Sequence, residues 1–136
     1  MVHTLTVLTL TLAEAIGLYW LAAGVGLLAA PGKLGAIVQD FESSPGLVYA
    51  VGIAAFAIGT AILIPHHVLY DPLSVIITVL AVLVAFEGLV LIAFPQVILS
   101  FARLFVSSAR LWALIAIILG LLLFLAGFTG RADALP

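Results

Sequence analysis

Four apolar runs, each about as long as a membrane is thick, limit this chain to very few folds. They extend from about Val7 to Ala30, Leu47 to Ile64, Leu73 to Phe94 and Leu111 to Phe128. Hydrocarbon offers no water to backbone N–H and C=O groups, so a spanning segment must satisfy them internally, and runs of roughly 20 residues do so as α-helices. The chain of 136 residues has room for four such spans with short connections and no sizeable soluble domain. Composition agrees: 66% of residues are hydrophobic and 7% charged, with a mean hydropathy of +1.46. The expected fold is an all-α membrane protein, one transmembrane domain over residues 1–136. Its four spans would form two tandem helical hairpins.

The same composition excludes several functions. Four Lys and Arg residues in the whole chain cannot form a patch that tracks a phosphate backbone, so no nucleic-acid partner is expected. Without cysteine there is no disulfide, thiolate metal site or thiol chemistry. A catalytic nucleophile, base and orienting group cannot be assembled either, because Ser107-Ser108 has no histidine near it in sequence or depth. Neither catalytic residues nor a cofactor are expected. The N-terminal run lacks the charged n-region and short h-region of a secretory signal, so it reads as a retained first span.

The connections are more informative than the spans. Pro31-Gly32 ends the first run, and Lys33, Asp40 and Glu42 make the next segment too polar to cross. Leu34, Ile37, Val38 and Phe41 recur there at helical spacing, which predicts a short amphipathic helix in the interface. After Pro95 the pattern returns: Gln96, Ser100, Arg103 and Ser107 line one face, and Ile98, Phe101 and Phe105 another. Trp112 near the start of the fourth span reads as an interfacial anchor. Between the second and third spans, His66 to Pro72 is short enough to make those spans antiparallel neighbours. Neighbouring His66 and His67 point in different directions on a regular backbone, so they are read as an interfacial loop at headgroup level, with Tyr70, and no metal is expected.

Small residues mark where helices approach closely. In the first span Ala22, Gly26 and Ala30 recur every four positions; Gly52 and Gly59 give the second a similar face, and Gly120 lies in the fourth. Such stripes usually serve helix packing.

Two carboxylic acids interrupt the apolar runs. Glu87 lies eight residues before Pro95, about 12 Å along a helix, and Glu14 lies about 10 Å inside the opposite surface. An ionisable group at such depth costs about 2.5–3.5 kcal/mol on insertion scales, so it normally has a partner, a proton or a function. Two readings stay open. In one, each acid serves as polar glue between helices or subunits; in the other, it binds a proton in a small proton-coupled transporter or channel.

Placing Pro31 over Pro95 reveals a possible duplication. Gly24 then falls on Gly88, Leu34 on Ile98, Phe41 on Phe105, Ser43-Ser44 on Ser107-Ser108 and Leu47 on Leu111. Repeat one covers about 7–65 and repeat two about 73–129, each reading span, proline, interfacial helix, span. Both interfacial segments then share one side of the membrane with Lys33, Arg103 and Arg110. By the positive-inside rule that side is cytoplasmic and both termini are not.

The second half, with Phe86-Glu87-Gly88-Leu89, the following Pro95 and a Gly120-bearing last span, resembles the YjeT-like small bacterial inner-membrane proteins, two-span hairpins of unknown function. The first half follows the same plan with Ala23-Gly24 where Glu-Gly would fall. This resemblance implies an architecture and a bacterial inner-membrane location. A shorter likeness, Leu12-Ala13-Glu14-Ala15-Ile16-Gly17, is similar to the first span of small multidrug resistance transporters, where a membrane Glu exchanges protons for cationic drugs. The expected role is a non-enzymatic accessory, assembly or structural subunit in contact with the lipid bilayer, in a homo-oligomer or with other membrane subunits. The alternative is the proton-coupled transporter.

Overall fold

The computed structural model describes residues 4–67 and 71–134, with side chains for 7–67 and 71–130. Six helices follow in order: α1 (Thr4–Ala29), α2 (Lys33–Ser43), α3 (Pro45–Leu63), α4 (Pro72–Ala93), α5 (Pro95–Val106) and α6 (Ala109–Ala134). Four of them, α1, α3, α4 and α6, are long and apolar enough to cross a membrane. Their ends follow local chemistry. Pro45, Pro72 and Pro95 open α3, α4 and α5, where the missing N–H has no intrahelical acceptor to lose. The Ser44 hydroxyl caps α3 by accepting from the Leu47 N–H at 3.4 Å. Asp71 caps α4 more fully: its carboxylate accepts from the Ser74 N–H at 2.7 Å, and the Asp71 N–H donates to the Ser74 hydroxyl at 3.0 Å. The helix of α6 carries on past the expected end of the fourth span, about Phe128, to Ala134.

The spans pair as α3 with α4 and α1 with α6. The first pairing is the one expected from the short connection through His66 and His67. The second departs from tandem hairpins: α1 is joined to α3 through α2, yet it lies along α6, the far end of the chain. Both pairs are antiparallel, since Gly17 meets Gly120 and Phe124 while Gly127 meets Leu10 and Glu14, and Gly52 meets Gly88 while Gly59 meets Ala81 and Ala85.

Each seam depends on backbones in near contact. A Cβ on Gly17 would lie 2.6 Å from the Gly120 carbonyl oxygen, and one on Gly88 would lie 2.6 Å from that of Gly52. Those distances are too short for any side chain, so the absence of a Cβ is what lets the helices close. Elsewhere the spans face outward. Between 17% and 28% of each span's residues are buried, and large apolar side chains such as Leu18, Ile58, Leu83 and Ile118 stand more than half exposed. An outer surface of this kind suits lipid rather than water.

The short helices α2 and α5 lie at one end of the bundle and touch each other. Val38 of α2 and Leu99 of α5 are buried, whereas Lys33, Asp40, Glu42, Gln96, Ser100 and Arg103 are exposed. The other end holds the start of α1 and the α3–α4 connection.

Candidate functional site

Among the described residues, the buried polar side chains gather around His66. Its ring is fully buried, with Nε2 2.7 Å from the Thr9 hydroxyl of α1 and Nδ1 3.0 Å from the Thr78 hydroxyl of α4. A threonine hydroxyl can donate or accept. A neutral imidazole, donating from one nitrogen and accepting at the other, is therefore fully satisfied. Ser74, one turn before Thr78, is also buried and donates to the Asp71 carbonyl at 2.9 Å.

Sequence reasoning placed His66 in an interfacial loop, and the structure corrects this. The chain leaves α3 with the His66 N–H donating to the Ile62 carbonyl at 2.9 Å, which turns the ring inward between α1 and α4. His67 does stay exposed, its Nδ1–H donating to the Leu63 carbonyl at 3.2 Å. Tyr70, expected at the same level, lies outside the described residues.

The two acids occupy different environments. Glu14 is half-buried on the seam of α1 with α6, where its Cγ lies 2.8 Å from the position a Cβ on Gly127 would take. Glu87 is exposed on the outer side of α4, one position from Phe86, itself 62% exposed, and one turn from Leu83. Gly24 is helical within α1 and packs on Ala113 and Ile117 of α6.

At the α2 and α5 end, Arg103 Nε donates to Glu42 Oε1 at 2.6 Å and so ties the two short helices together. Lys33 and Arg110 are exposed. Trp112 meets Phe105 edge-on, with ring centroids 4.6 Å apart.

Two surface grooves accompany these groups. One, of about 490 Å³, runs between α4 and α6 over Trp20 and is lined by apolar side chains including Ile76, Leu80, Leu119 and Leu122. The other, of about 310 Å³, lies between the start of α2 and the α5–α6 junction. Neither is lined by Glu14 or Glu87.

No protein-family model, characterised protein or solved structure matches this chain. Its chemistry therefore has to be read from its own residues. Among the described residues, no three of His, Cys, Asp and Glu come together as metal ligands would.

Of the small residues picked out for packing, Gly52, Gly59 and Gly120 lie on the seams. Ala22, Gly26 and Ala30 do not. Ala22 and Ala30 are exposed, and a Cβ on Gly26 would meet nothing within 4 Å. The packing face of α1 is instead Leu10, Ala13, Gly17 and Gly24, all buried. A legible signal does exist for it: Gly17 and Gly24, Gly52 and Gly59, and Gly120 and Gly127 are each seven residues apart. That is the period of a seam between closely aligned helices.

Proposed function

We propose that this protein is a non-enzymatic multi-pass subunit of a bacterial inner membrane, which assembles with copies of itself or with other membrane subunits through the outer face of α4. The exposed position of Glu87 carries this reading. A carboxyl facing hydrocarbon costs about 2.5–3.5 kcal/mol on insertion scales. A second protein surface able to hydrogen-bond the group removes much of that cost. Leu83 and Phe86, both more than half exposed, supply apolar contact on the same side.

The proton-coupled transporter has less support. A carrier needs a polar route to its acid, and neither groove described above is lined by Glu14 or Glu87.

The helix pairing supports the duplication and, with it, the likeness to the YjeT-like hairpins. With Pro31 over Pro95, α1 corresponds to α4 and α3 to α6, so each observed pair joins the first span of one repeat to the second span of the other. Gly24 and Gly88, which correspond, both press on the partner helix. The clustering of Lys33, Arg103 and Arg110 near α2 and α5 favours a cytoplasmic location for that end. Both short helices then rest in the cytoplasmic interface, and both termini lie outside the cytoplasm.

Gentle solubilisation followed by mass determination of whatever travels with the chain tests the proposal. A defined oligomer or a complex with other polypeptides is expected, kept by Glu87→Gln and lost by Glu87→Leu while helicity is unchanged. A monomer that carries a proton-linked flux in liposomes, abolished by Glu87→Gln, would overturn it.

A further inference from the structure

The pocket between α2 and the α5–α6 junction has a chemistry unlike the rest of the surface. Gly32 and Gly35 form one wall, and Ser107, Ser108 and Arg110 line the other. No acid lines it. The cations at this end are not equivalent: Arg103 is held by Glu42 at 2.6 Å, whereas Arg110 makes no ion pair among the described residues. The Ser107 and Ser108 hydroxyls have no hydrogen-bond partner among the described residues either. The pocket thus presents one uncommitted guanidinium and two uncommitted hydroxyls. Such a donor set suits an oxyanion with several acceptor oxygens, above all a phosphate.

Its level in the fold narrows the source. Arg110 is the second residue of α6, which begins its apolar run there, and Trp112 follows as interfacial anchors do. Phe101 and Leu104 on α5, 58% and 67% exposed, lead towards Ser107 and offer acyl chains an apolar surface. We propose that this pocket holds the phosphate of an anionic phospholipid, with Arg110 countering the charge and Ser107 and Ser108 donating to its oxygens. Gly32 and Gly35 keep the opposite wall free of side chains.

Native mass spectrometry of the full-length chain in mild detergent, with phosphatidylglycerol, phosphatidylcholine or inorganic phosphate added, tests this. One phosphatidylglycerol per chain is expected to survive, in preference to phosphatidylcholine. Arg110→Ala should reduce its retention about fivefold to tenfold, the loss of one cationic contact at a membrane surface or of one charge-assisted hydrogen bond. Replacing Ser107 and Ser108 together by Ala should reduce it similarly by removing both hydroxyl donors, which keeps the test valid should Arg110→Ala fold poorly. Lys33→Ala removes a neighbouring charge outside the pocket and should leave retention unchanged. Equal retention of the two lipids, equal loss in Lys33→Ala and Arg110→Ala, or displacement of the lipid by millimolar inorganic phosphate would each overturn the proposal.

Discussion

His66 and Thr9, 57 residues apart in the chain, meet at 2.7 Å in the buried interior. Together with Thr78 they join the start of α1 to the α3–α4 pair. α1 touches α4 far less than it touches α6, so this bond should matter to the assembly of the bundle. Thr9→Val is expected to cost about 1 kcal/mol, and His66→Leu about 1–3 kcal/mol because it strips a partner from two buried hydroxyls. Unfolding of the single and double variants in detergent micelles should give a coupling of about 1 kcal/mol between His66 and Thr9.

The seams and the outer face of α1 should respond oppositely to the same substitution. At Gly88 a Cβ would lie 2.5 Å from the Phe56 backbone nitrogen, whereas at Gly26 it would meet nothing within 4 Å. Gly88→Val is expected to destabilise the fold by about 1–3 kcal/mol or more through overpacking. Gly26→Val should stay within about 0.5 kcal/mol. Thermal unfolding of the two variants side by side provides the comparison.

The bond between Arg103 and Glu42 is short but wet, with the two side chains 60% and 35% exposed. Solvent screening limits such a pair to about 0.2–1 kcal/mol. A double-mutant cycle of Arg103→Gln and Glu42→Gln should fall in that range and shrink as salt is raised towards 1 M. A larger, salt-insensitive coupling would mean that the pair is covered by something else in the membrane.

The absence of cysteine from the chain makes topology directly measurable. Gln39 on α2 and His67 after α3 are both exposed and lie at opposite ends of α3. A membrane-impermeant thiol reagent added to intact cells should label His67→Cys and spare Gln39→Cys until the membrane is opened. The reverse pattern would invert the orientation drawn from Lys33, Arg103 and Arg110.

The local structure of the two central spans was legible to within about two residues. Spans expected at about 47–64 and 73–94 form as Pro45–Leu63 and Pro72–Ala93, because backbone satisfaction in an apolar medium and the lost N–H of proline act within a few residues of chain. Both short helices likewise follow from the return of polar residues at helical spacing after Pro31 and Pro95. The candidate site was legible only in part. Glu14 and Glu87 stood out by chemistry alone, yet nothing in their neighbours distinguished the half-buried seam position of Glu14 from the exposed position of Glu87. His66 was missed because its inward turn depends on Thr9 and Thr78, which belong to other helices.

Sequence by itself determined that the described residues make four apolar helices and two short polar-edged ones, where the prolines open three of them, and which residues are costly in lipid. Those properties rest on hydropathy, length and backbone hydrogen bonding, all of them local. Tertiary structure alone decided that α1 lies against α6 and that His66 is enclosed. A span apolar on every side carries no hydrophobic direction, since lipid covers either face equally well. Partner choice then falls to the fit of one backbone against another, and that fit exists only once both helices are present.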